Sequence, residues 1–70
     1  MKYITTENNA IIIFSTGFSH QEIAQKLNEK VRGAGFVNLD TKECHGKSIS
    51  LKIGVHEQDN RTLEFHHKGY

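Results

Sequence analysis

Apolar positions along the chain fall in short groups whose spacing changes twice. It runs from two residues to between three and four, then back to two. Lys2-Tyr3-Ile4-Thr5-Thr6 has the β-branched and aromatic content of a short strand. Glu7-Asn8-Asn9 follows as a turn signal, because Asn tolerates a positive φ. Ala10 to Ser15 reads as a second strand, apolar on both sides. Ile11 and Ile13 point one way, Ile12 and Phe14 the other, so both faces need cover. From Ser19 to Arg32 the period becomes helical, with Ile23, Ala24, Leu27 and Val31 on one stripe. Gly33 stands where a left-handed residue would end that helix.

The period then returns to two. Phe36 to Asp40 reads as a strand and Thr41 to Lys47 as a polar connection. Ser48 to Val55 is the clearest strand, with Ile49, Leu51, Ile53 and Val55 alternating against small or polar residues. His56 to Asn60 is turn-rich. Arg61 to His67 reads as a final strand, with Leu63 and Phe65 inward and Thr62, Glu64 and His66 outward. The predicted order is β-β-α-β-β-β over residues 1–70: a single α+β domain with one helix packed on an antiparallel sheet. One helix covers one face only. That leaves Ile12 and Phe14 as a candidate interface and makes a homo-oligomer, by default a symmetric dimer, the expected state.

Composition supports that expectation. A chain of 70 residues is close to the lower limit for independent folding, and Cys44 alone cannot form an internal disulfide. No secretory signal pattern is present, and the longest apolar run, Ala10 to Phe14, is too short to span a bilayer. A cytoplasmic location without membrane attachment is expected. Nine Lys and Arg against eight Asp and Glu leave a formal net charge of +1, which argues against a dedicated nucleic-acid binder.

Candidate chemistry centres on the segment Ser15 to Ala24, "STGFSHQEIA". Its "GFSHQ" echoes the nucleophile elbow G-x-S-x-G, but Gln21 replaces the second glycine and adjacent Ser and His side chains diverge. Helix capping explains it better. Ser19 is the expected N-cap, Glu22 completes an S-x-x-E capping box, Phe18 staples onto Ile23, and Gly17 makes the sharp turn. Free amides at that helix start, rimmed by Ser15, Thr16, Ser19 and His20, form a candidate anion site. Cys44-His45 and His66-His67 offer metal-ligand residue types, but the spacing fits no usual zinc pair, so neither metal nor cofactor is expected. Lys47, Ser48, Ser50, Lys52, Arg61, Thr62, His66 and Lys68 share the expected outer face of the last strands, with Phe36 or Tyr70 for stacking. Lys47 and His66 are its candidate ligand donors. Such a face is the basis of an alternative reading as a nucleic-acid-binding or regulatory module.

The segments "KYITTENNAIIIFSTGFSHQEIA", "AGFVNLD" and "GKSISLKIG" give the chain a layout that resembles small phage and prophage proteins. The resemblance implies a non-enzymatic accessory that binds a host protein or sequesters a small molecule, and it assigns no functional residue. Together with the absence of a catalytic set, it leads to the expectation of a homo-oligomeric binding protein. Its target would be a host protein or a small anionic, nucleotide-like ligand.

Overall fold

The computed structural model describes residues 1–67. Strands β1 (Lys2–Thr6) and β2 (Ile11–Phe14) form a hairpin, followed by helix α1 (His20–Ala24) and strand β3 (Val31–Asn38). Strands β4 (Glu43–His45), β5 (Lys47–Ser48) and β6 (Ile53–Gly54) precede a closing helix α2 (Asp59–His67). The main sheet is four-stranded and antiparallel, in the order β2-β1-β3-β4, while β5 and β6 pair as a separate two-stranded ribbon. The fold is α+β.

The hairpin forms as its sequence predicts. Asn9 adopts φ 62°, and the turn is closed by Thr6 N–H donating to the Ala10 carbonyl and Asn9 N–H donating to that of Thr6. Strand alternation then divides the side chains between two cores. Tyr3, Val37 and Leu63 form one core, with Ile11, Ile13 and Cys44 packed against it. Ile4, Phe14 and Ala34 form the other, with Ile12, Ile23, Ala24, Leu27, Val31, Leu51 and Ile53 around it. The sheet is therefore covered on both faces, by α2 on one side and by α1 with the ribbon on the other. Ile12 and Phe14, the expected interface, belong to the second core, and Phe14 is buried.

Three elements depart from the sequence pattern. The stripe Ile23, Ala24, Leu27 and Val31 does pack into one core, but the helix stops at Ala24 and Val31 already begins β3. Pairing with β1 outweighs helical periodicity here, because Thr5 faces Gly33 and Tyr3 faces Gly35 across the ladder. Gly33 is consequently a strand residue, and its role is space: a Cβ there would lie 2.1 Å from Asp59 Oδ2. The expected strand Ser48 to Val55 is broken by a turn at 49–52 in which Lys52 takes φ 56° and Ile49 is 82% exposed. The expected last strand is α2. Its buried positions are Asp59, Thr62 and Leu63, a helical spacing that two polar residues hide from any hydrophobic count.

Candidate functional site

The capping box of α1 is present in full. Ser19 Oγ accepts from Glu22 N–H at 3.1 Å, and Glu22 Oε1 accepts from Ser19 N–H at 3.2 Å. Gly17 turns without a positive φ, and Phe18 remains 49% exposed. The anion site expected at this junction does not assemble. Ser15 Oγ accepts from Gly17 N–H, Thr16 is exposed, and the capping box occupies two of the polar groups. A helix of five residues also sums few peptide dipoles. His20 is not at a rim. It is buried between the rings of Phe14 and Phe36, and its Nε2–H donates to the Gly35 carbonyl at 2.8 Å.

The other expected donors lie elsewhere. Lys47 opens the β5–β6 ribbon, and His66 sits on α2, where its Nε2–H donates to the Asn9 carbonyl at 2.7 Å. Ser50 and Lys52 fall in the ribbon turn while Arg61, Thr62 and His66 lie on a helix, so the shared outer sheet face does not exist. Lys68, Tyr70 and the side chain of His67 lie outside the described residues. Among the described residues, no group of three or more His, Cys, Asp and Glu is placed to hold a metal ion. Nor is any helix among them long and apolar enough to cross a membrane.

The structure instead concentrates polar chemistry around Asp59, a residue the sequence places in a turn. Asp59 is fully buried. Its Oδ2 accepts from Tyr3 Oη at 2.5 Å and from His56 N–H at 2.8 Å, and its Oδ1 accepts from Thr5 Oγ1 at 2.7 Å. Arg32 Nη2 completes the set as an ion pair at 3.4 Å. The first turn of α2 thus borrows donors from both ends of the chain's first half. Burial foremost, and then the adjacent Asp59 carboxylate, hold the Tyr3 phenol well above its usual range. The Cys44 thiol is pushed up to about 11 by burial and, secondarily, by Asp59. That shift makes it a poor nucleophile at neutral pH.

This network also supports the wall of a cleft. Arg32 Nη1 donates to Asn9 Oδ1 at 2.5 Å and Nη2 donates to Thr62 Oγ1 at 2.7 Å, while Thr62 Oγ1 donates to the Gln58 carbonyl. Asn9, Gln58, Arg61, Thr62 and Phe65 line a cavity of about 270 Å³. Gln58, the residue just before α2, and Arg61, Thr62 and Phe65 within it follow the spacing i, i+3, i+4, i+7, so they lie on one face of the helix and its lead-in. Arg61 is exposed, Phe65 is 77% exposed, and the Arg32 Nε beneath is buried without a partner among the described residues. A flat apolar surface, an exposed guanidinium and two side-chain amides converge there. Of the expected ligand donors His66 is nearby, through its bond to Asn9 and its edge contact with Phe65, and Arg61 and Thr62 of the expected outer face line the cavity itself. A strand reading of residues 61–67 turns Phe65 inward with Leu63, away from Arg61 and Thr62 on the expected outer face, which conceals the stripe.

Comparison with protein families, curated proteins and solved structures finds no match to this chain.

Proposed function

We propose that this protein is a non-enzymatic binding protein that captures a small anionic ligand carrying an aromatic or heteroaromatic ring, of nucleotide type. The observation that carries the reading is the α2 cleft, where exposed Phe65 and exposed Arg61 stand one helical turn apart beside Asn9 and Gln58. A ring stacks on Phe65 and an anionic group pairs with Arg61, while the amides of Asn9 and Gln58 supply directional hydrogen bonds. Part of the lining is fixed before a ligand arrives. Asn9 and Thr62 are both held by Arg32, and Arg32 is held by Asp59. Pre-organisation of this kind lowers the entropic cost of binding. The densest cluster of ionisable groups, Tyr3, Arg32 and Asp59, is closed off and bonded to itself, which suits a structural role and supports binding over catalysis.

Titration of isotope-labelled protein with adenosine monophosphate and with inorganic phosphate tests the assignment. The monophosphate is expected to shift the amide signals of Gln58, Arg61, Thr62 and Phe65, with phosphate alone giving a weaker response. Arg61→Ala and Phe65→Ala are each expected to weaken binding by about tenfold, equivalent to ~1.4 kcal/mol. Lys47→Ala is expected to change nothing. If millimolar nucleoside monophosphate moves none of these signals, the reading is wrong.

A further inference from the structure

The two edges of the main sheet are treated differently, and the difference points to a partner. A sheet edge presents unpaired N–H and C=O groups that template pairing with another chain, and proteins usually blunt it with charge, proline, a bulge or a covering side chain. The β4 edge is blunted in this way. It is three residues long, carries Glu43 and His45, and its Cys44 N–H is taken by Asn60 Oδ1 at 2.7 Å from α2. Among the described residues, the β2 edge has none of these devices. Its sequence is Ile-Ile-Ile-Phe, and Ile11, Ile12 and Ile13 are each only half-buried.

The register shows which backbone groups this edge offers. Thr6 N–H donates to the Ala10 carbonyl, so Thr6 and Ala10 form a hydrogen-bonded pair. Bonded and non-bonded pairs alternate along an antiparallel ladder. Continuing that register, Ile4 bonds Ile12 and Lys2 bonds Phe14, whereas Thr5·Ile11 and Tyr3·Ile13 are non-bonded pairs. Ile11 and Ile13 therefore direct their N–H and C=O outward, away from β1. Among the described residues no hydrogen bond reaches those four groups. The Asn9 carbonyl, just before the strand, is already taken by His66. The open row is confined to β2.

We infer that β2 is a homodimerisation edge, which pairs antiparallel with β2 of a second copy about a two-fold axis through Ile12. In that register Ile11 lies opposite the partner's Ile13, and Ile13 opposite the partner's Ile11. All four outward groups on each chain are then satisfied, giving four intermolecular hydrogen bonds and one continuous sheet. The row is self-complementary, as a two-fold interface requires. Ile12 meets its own counterpart, and three isoleucines from each copy form a ladder with no charge to repel. This interface uses the strand's backbone edge. It does not use the Ile12 and Phe14 side-chain face, which α1 and the ribbon already cover.

So short an interface lies at the small end of specific contacts, so a dissociation constant of about 10–100 μM is expected. Light scattering of the full chain near ~1 mM should give twice the 8.0 kDa chain mass, falling towards one on dilution. The amides of Ile11 and Ile13 should exchange about tenfold more slowly in the concentrated sample, while that of Ile12 stays unchanged. N-methylation of Ile13, introduced by joining synthetic segments at Cys44, removes one outward donor and leaves every side chain intact. It should abolish the dimer. A monomer at millimolar concentration, or concentration-independent exchange at Ile11 and Ile13, overturns the inference. So does a dimer that survives N-methylation. If the N-methylated chain does not fold, the exchange measurement on the unmodified chain decides alone.

Discussion

Asp59 shows how one residue can organise a small domain. A buried carboxylate is tolerated only when it is paired and hydrogen-bonded, and here four donors converge on it. Asp59→Ala leaves the Tyr3 hydroxyl, the Thr5 hydroxyl and the Arg32 guanidinium without their acceptor. The expected loss is about 3–5 kcal/mol in urea unfolding, enough to unfold a domain of this size. Gly33→Ala should cost a comparable amount, because its Cβ would overlap an Asp59 side chain that is held on every side. Gly17→Ala, whose Cβ would find its nearest neighbour 3.6 Å away, should fall within about 0.5 kcal/mol of the parent. None of this network is legible in the sequence. Asp59-Asn60 has the composition of a solvent turn, and three of the four partners that justify burial stand 27 to 56 positions away.

Among the elements, the legible ones are those whose local chemistry agrees with their tertiary environment. The β1–β2 hairpin and the Ser19-Glu22 capping box need only neighbours in sequence, and both form as expected. The ribbon and α2 do not, because their periodicity misleads. Ile49, Leu51, Ile53 and Val55 alternate, yet a left-handed Lys52 turns the chain and sends Ile49 into solvent. Ile49→Ser is therefore expected to leave the melting temperature within about 2–4 °C, a shift of under ~0.5 kcal/mol. A strand with that residue facing the core would lose several times more. Leu63→Ala should cost about 2–5 kcal/mol, since Leu63 is the fully buried apolar contribution of α2 to the first core. The misreading of α2 also explains the spare apolar face expected of β2. With a second helix present, the two faces of that strand have one cover each. The cleft follows from the same helix, so its residues could be recognised only once the helix was.

For the molecule as a whole, the raised pKa values give a signed dependence on pH. A Tyr or Cys whose folded pKa lies above its unfolded value adds stability below the unfolded value, and this is lost as pH rises towards the folded one. Cys44, at about 11 against a reference of 9.0, begins to cost stability above pH 9. Tyr3, raised from a reference of 10.0, adds a second loss above pH 10. Unfolding free energy should fall by about 1.4 kcal/mol per pH unit for the first group and approach twice that when both contribute. Chemical denaturation between pH 8 and pH 11 measures the slope. The step from Tyr3 should vanish in Tyr3→Phe, and a flat profile in the parent would contradict the burial of both groups.

The pairing of Asp59 with Tyr3 and Thr5 spans 56 and 54 positions, and this sets an order of events during synthesis. While the chain is being made, β1, β2 and β3 emerge first, with Tyr3, Thr5 and Arg32 lacking the one acceptor that satisfies them all. A chain stalled before Asp59 also lacks the Leu63 cover for its first core. Completion of the buried network and of the first core is thus expected to wait for α2.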